Sequence, residues 1–166
     1  MRLYGDHVVS TKDETGLTVE QLSRELQAFD PSAESRDTSA GSRSAELIDD
    51  IVDGLFPNQS FSFDDEMVKN SLDELLLVLV ALRSEQTHGK GLMDDLANVF
   101  DSRLSPGTVY PRLHELEEQD LLDVHELVRT KEYRIDGRDE SRVTIQSAMT
   151  QHIALGYVLF SALEEL

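Results

Sequence analysis

Apolar positions along this chain fall into blocks of different period. Ser71–Arg83 (SLDELLLVLVALR) is apolar nearly all round, which predicts a helix buried on several sides. Ser71 with Glu74 fits a capping box at its start. Thr87–Gly91 reads as a turn. Lys90–Phe100 puts Leu92, Met93, Leu96, Val99 and Phe100 on one face and predicts a second helix, with Asp101–Leu104 as a short connector. Ser105 then stands as an N-cap with Pro106 at the first helical position. Val109, Leu113 and Leu116 recur at i, i+4, i+7 and face the core, leaving Thr108, Tyr110, Arg112 and Glu115 outward. Pro111 falls in the second turn, where propensity alone would split this third helix. Leu122–Val128 and Lys131–Ile135 are short β-type runs joined by Arg129 and Thr130, a hairpin with a basic tip. Ser141–Leu166 predicts a last helix of about seven turns. Its apolar surface exceeds what one neighbouring helix can cover, so a second copy of the chain is the simplest partner. The expected dimer face comprises Leu76, Ile145, Met149, His152, Ile153, Gly156, Leu159, Phe160 and Leu163.

Before Met67 the pattern is weaker. Gly16–Phe29 predicts a short helix with Thr18 as N-cap, Asp30–Arg43 is Ser-, Asp- and Gly-rich and reads as a linker, and Pro57–Asp65 looks irregular. Ala45–Phe56 is a second amphipathic candidate through Leu47, Ile48, Ile51 and Leu55. Two alternatives stand. The segment is a poorly ordered acidic arm with transient helices, or it docks against the core or a protein partner.

Composition changes the picture in one respect. Fifteen basic residues face thirty-three acidic ones, a net charge of −18, where a nucleic-acid binder is expected to lean basic. The chain either avoids nucleic acid, or carries its acid away from a locally neutral face, or works in molar salt. Four lysines against eleven arginines, with abundant Asp and Glu, resemble the composition of proteins from halophilic archaea. There is no cysteine, which excludes disulfides and thiolate zinc sites. His88, His114, His125 and His152 lie on four separate elements without metal-ligand spacing. No phosphate-cradling GxxxxGK[ST] loop and no catalytic constellation occur, so neither an enzyme nor a cofactor is expected. The N-terminal residues lack the apolar core of a secretory signal. The apolar runs Leu75–Leu82 and Ile153–Leu163 fall short of the roughly 20 residues that span a bilayer. A cytoplasmic protein is expected.

The order helix, helix, helix, wing, long helix carries a family resemblance. HGKGLMDDLANVF, then LSPGTVYPRLHELEEQDLLD, then EYRI, together resemble the PadR family of winged-helix regulators over about Leu72–Ile135. The resemblance implies a mainly α fold with a small β wing: a winged helix-turn-helix plus a long C-terminal dimerisation helix. It also implies a proline at position 111 inside an unbroken helix. It further implies a homodimer on an inverted-repeat operator, usually a repressor, with the third helix in the major groove of double-stranded DNA and the wing beside it. Several members of the family respond to small-molecule effectors near the dimer interface. The expected division is 1–67 acidic arm, partly disordered, 68–138 winged helix, and 139–166 dimerisation helix. Lys90 and Asp120 depart from the family pattern, which has an aromatic and a glycine there.

Candidate DNA contacts follow. Ser105, Gly107 and Thr108 open a helix whose free N–H groups suit a phosphate. Tyr110 and Arg112 are expected on the exposed face, with Arg112 able to pair with guanine. Arg103 and Arg112 make residues 103–112 positive, and Arg129, Lys131 and Arg134 do the same for the wing. Lys90 is placed to reach a phosphate across the groove. A winged-helix protein-interaction module without DNA binding is the alternative from another class.

Overall fold

The computed structural model describes residues 40–56, 60–83, 87–163 and 165. The helix expected at Gly16–Phe29 lies outside them. Helices α1 (Ala40–Leu55), α2 (Asp65–Asn70), α3 (Leu72–Leu82), α4 (Gly89–Phe100) and α5 (Pro106–Glu118) are followed by strands β1 (Leu122–Glu126) and β2 (Lys131–Ile135) and by helix α6 (Arg138–Leu163).

Helix α3 is the axle of the fold. Leu72, Leu76, Leu77, Leu79 and Val80 are all buried, and α1, α2, α4, α5, α6 and β2 pack around it. Leu76 is 0% exposed within the single chain. It therefore belongs to the core, and its place in the expected dimer face is corrected. Full burial of a leucine contributes about 1.5–3 kcal/mol, so this all-round apolar helix sets where its neighbours must lie.

Ser71 does not make the expected capping box. Helix α2 ends at this residue, which holds it at φ −106, ψ 18, outside the extended region that lets an N-cap side chain turn back onto its helix. Asp64 caps α2 instead, its Oδ1 accepting from Glu66 N and Met67 N at 3.0 and 3.2 Å. Helix α1 begins inside the stretch expected to be a linker. It lies against α4 and α3, with Ser44 buried and Ile48 packed on the core while Ile51 turns outward. A chain of rings follows it. Phe56 stacks on Phe61 at 4.4 Å, Phe61 meets Phe63 edge-on at 5.0 Å, and Phe63 meets Phe100 at 5.2 Å. Helix α1 and the described phenylalanines that follow it thus pack on the winged helix.

The hairpin is antiparallel with Leu122 opposite Ile135 and Glu126 opposite Lys131. A single bridge, His88 opposite Glu132, ties β2 to the start of α4. Helix α5 runs through Pro111 unbroken. The proline cannot donate to Gly107 O, but both residues lie on the exposed side, so the freed carbonyl is solvated rather than buried. The helix ends on Asp120 at φ 56, with Asp120 N bonded to Glu117 O and Leu121 N to Leu116 O, both at 3.0 Å. That is a Schellman ending with aspartate in the left-handed position usually given to glycine.

Candidate nucleic-acid interface

Helix α5 is the element expected to read DNA, and its burial defines its outer line. Val109, Leu113 and Leu116 face inward at 0–1% exposure. Opposite them run Gly107, Pro111, His114 and Glu118, all exposed. Thr108 and Arg112 are half-buried on one flank, and Tyr110 stands on the other with 42% exposure. The outward set expected from the sequence, Thr108, Tyr110, Arg112 and Glu115, is therefore displaced from the true outer line. His114 is the side chain on that line best able to donate to a base edge. It lies 3.3 Å from Glu117 and 3.6 Å from Glu118, and only the i, i+3, i+4 arithmetic taken from the buried residues would have found it.

Arg112 is not a free cation. Its Nη1 donates to Glu115 Oε2 at 2.7 Å, and its Nε lies 3.2 Å from Asp73 Oδ1 on α3. The approach to Asp73 is off the N–H direction, so that buried oxygen lacks a hydrogen bond. The bond to Glu115, then the charge of Asp73, raise the pKa of Arg112. Burial raises that of Asp73, against the pull of Arg112. The pair straps α5 to α3, and DNA contact by Arg112 requires exchange of those partners.

Ser105 occupies the N-cap position. Its carbonyl accepts from Thr108 N and Val109 N at 2.9 and 3.1 Å. Its hydroxyl instead pairs with the Thr108 hydroxyl at 3.0 Å, and no side-chain cap bond forms. Pro106 has no N–H and Thr108 N and Val109 N are taken up by the Ser105 carbonyl, so in the first turn it is Gly107 N that keeps its capacity to meet an anion.

Wing and helices converge on one cleft of about 490 Å³ beside α5, lined among others by Lys90, Tyr110, Val128, Arg129 and Lys131. Its floor explains the His-Gly turn. A Cβ on Gly89 would lie 2.6 Å from Tyr110 Cε1, so only glycine lets the ring lie across the start of α4. His88 Nδ1 is 3.3 Å from Lys131 O, and Tyr133 N donates to Thr87 O at 2.9 Å, which fixes the wing to the same turn. Among the described residues no ion pair involves Lys90, Arg103 or Arg129, whereas Lys131 is 3.3 Å from Glu126. Val128 at the wing tip is fully exposed, an apolar neighbour of Arg129 that the expected basic tip did not include. Arg103 is exposed on the connector outside this cleft. Arg134 turns away, pairing with Glu132 at 3.2 Å and lining a different groove against α3 and α6.

On the expected dimer face, Met149, Ile153, Leu159, Phe160 and Leu163 are exposed by 39–67%, while Ile145 packs partly on the core. His152 is engaged by its own chain: Nδ1 donates to Ala148 O at 2.8 Å, so Nε2 accepts from the Ser71 hydroxyl at 3.2 Å. Gly156 is exposed between them. Among the described residues no three metal-ligating side chains converge, and no helix is long and apolar enough to cross a membrane.

Two helices joined by a tight turn, the second opening outward beside a two-stranded wing, define a winged helix-turn-helix domain. The sequence comparisons narrow the class. Residues 78–142 match the model described as "Transcriptional regulator PadR-like family", so that stretch of the chain is similar to the PadR-like transcriptional regulators. It is 38% identical over 117 residues to "Transcriptional activator GvpE" of Haloferax mediterranei, covering 68% of this chain and 60% of that protein. It is 36% identical over 117 residues to "Transcriptional activator GvpE1" of Halobacterium salinarum, covering 68% and 61%. The chain thus spans about three-fifths of the length of these relatives. A solved "PadR-like Transcription factor from bacteroid fragilis" aligns with 57% of this chain and 94% of that one, at 22% identity and a TM-score of 0.44, a likeness too distant to add to the sequence match.

Proposed function

We propose that the protein is a cytoplasmic, homodimeric regulator that binds an inverted-repeat operator in double-stranded DNA. Helix α5 enters the major groove with His114 and Tyr110 at its floor and flank. The first turn of α5 meets a phosphate, and Lys90, Arg129 and Lys131 hold the backbone on either side. The observation that carries this reading is the cleft. In a chain of net charge −18, Lys90, Arg129 and Lys131 gather round one tyrosine, Tyr110, with Glu126 as the one acid among them. The acidic remainder weakens long-range attraction without blocking close contact. Counterion release drives less binding as salt rises, and the exposed Val128 supplies apolar contact that salt does not weaken. The relatives are named activators, so activation is the sign favoured here over the repression that the resemblance alone implied.

The test is selection of duplexes from a random library, followed by fluorescence anisotropy in low and molar salt. A discrete complex protecting two symmetric half-sites is expected. Lys90→Ala and Arg129→Ala should weaken all duplexes alike, whereas His114→Ala should relax the preference at one base pair by about 1–3 kcal/mol. Absence of any discrete complex in either salt would overturn the reading in favour of a protein-interaction module.

A further inference from the structure

Two carboxylates hold Arg112 by different nitrogens of its guanidinium, and they differ in how easily they let go. Asp73 Oδ1 lies 3.2 Å from Nε and is buried on α3. Glu115 Oε2 lies 2.7 Å from Nη1, and its side chain is 47% exposed. Nη2 has no partner among the described residues. The outer edge of the fork, Nη1 with Nη2, is therefore closed only by a surface glutamate. The inner nitrogen is fixed from another helix. Among the described residues no second cation pairs with either carboxylate.

This asymmetry decides what can replace Glu115. Such an edge fits two acceptors, either O6 and N7 of guanine or two oxygens of a phosphate. The two have the same geometry and different charge. With Asp73 kept at Nε, the charges of Arg112 and Asp73 sum to zero, and Glu74 adds to the same negative field. A phosphate at the outer edge meets the attraction of the guanidinium together with the repulsion of Asp73. Both act well inside the Debye length of about 10 Å at 0.1 M salt. A neutral base edge bears little of that repulsion and keeps both hydrogen bonds.

Glu115 completes the arrangement. In the free protein it occupies the edge that a guanine would take. Once displaced, it remains one helical turn along α5 and carries an acceptor of the kind that pairs with the N4 amine of cytosine. Arginine and glutamate on one flank of the reading helix thus match the acceptor and donor sides of a G·C pair.

We infer that Asp73 is a positioning residue that reserves Arg112 for guanine and withholds it from the DNA backbone. Glu115 is the partner that gives way. The inference rests on the operator binding of the proposed function. It adds a base pair read from the flank of α5, and the residue that decides between base and backbone.

The test compares a selected operator with an unrelated duplex of equal length, by fluorescence anisotropy across a salt series with the full-length chain. Arg112→Ala should lower operator affinity about tenfold without flattening the dependence of log affinity on log salt. Asp73→Asn leaves a net charge on the fork. The unrelated duplex should then bind about fourfold tighter at 0.2 M salt, the salt dependence should steepen by about one phosphate contact, and the preference for the operator should fall. Damage to the fold would weaken both duplexes and steepen nothing. Glu115→Gln, at an exposed site, should shift the unrelated duplex in the same direction, and it decides the matter if Asp73→Asn does not fold. An Arg112→Ala salt dependence flatter by one contact would mean that Arg112 already meets phosphate, and would overturn the inference. So would operator binding that survives while neither carboxylate variant changes affinity for the unrelated duplex. A protein that forms no discrete complex with any duplex would remove the proposed function and this inference together.

Discussion

Asp95→Ala is the substitution that best tests how α4 is held. Asp95 lies on the buried side of α4 at 3% exposure and receives Arg83 in a two-pronged contact, Nε to Oδ2 at 2.7 Å and Nη2 to Oδ1 at 2.8 Å. Arg83 also donates to Gly91 O at 3.1 Å, so one guanidinium joins the end of α3 to the first and second turns of α4. The side chains are 11% and 4% exposed, and the hydrogen bond to Asp95 raises the pKa of Arg83. Removing one partner of a buried ion pair costs about 3–5 kcal/mol. Against a typical total stability of about 5–15 kcal/mol, and at about 2–4 °C per kcal/mol for a chain of this size, the melting temperature should fall by roughly 6–20 °C. Urea unfolding in potassium chloride measures it directly. Replacing both partners by apolar residues, Arg83→Met with Asp95→Leu, should recover most of the loss, because neither charge then has to be held in the interior. The coupling should also persist in molar salt, since buried pairs are screened little, whereas an exposed pair such as Arg112 with Glu115 contributes about 0–1 kcal/mol and fades. A loss under 1 kcal/mol for Asp95→Ala, or a double variant no better than the single one, would refute the reasoning.

Three further outcomes are expected. Asp73→Asn should stabilise the protein increasingly as pH rises. Burial raises the Asp73 pKa above its unfolded value, so ionisation works against the fold, and the difference from wild type should vanish below the unfolded pKa and reach full size above the folded one; urea titration at several pH values checks this, and the same variant should tighten DNA binding by releasing Arg112. Asp120→Gly should stabilise by about 0.5–1 kcal/mol, because Asp120 sits at φ 56 and an L-residue pays to adopt that region; thermal unfolding reads it. Gly89→Val should leave the fold intact but displace Tyr110, whose ring atoms lie within 2.9 Å of the added Cβ, and should weaken DNA binding at least tenfold by anisotropy.

The helix-turn-helix and the hairpin were legible because each rests on local rules. Pro106 after Ser105, the 3- and 4-residue spacing of Val109, Leu113 and Leu116, and the two β-type runs mark their elements without tertiary information. What escaped depends on contacts between distant residues. Ser71 looks like a cap, but α2 arrives from the other side and fixes its backbone. Arg112 looks free, but Asp73 lies 39 positions earlier in the chain and reaches it only once α3 is in place. Arg134 has the charge of its neighbours in the wing, yet strand alternation turns it to the far face. The outer line through His114 was within reach of the sequence, since it follows from the buried residues alone. Helix α1 was half seen: its amphipathic stretch was marked, but its start inside an apparent linker was not, because Ser44 gives no apolar signal.

The turn between α4 and α5 has a distant support. Ser102, fully buried there, donates to Asp65 Oδ1 at 2.7 Å, and Phe100 beside it takes the edge of Phe63. The smallest piece that can hold the reading helix at its proper angle is therefore larger than the stretch shared with the family. A fragment trimmed to residues 78–142 would keep every expected DNA contact and lose the brace that aims them. In this chain the matched motif and the packed unit have different edges.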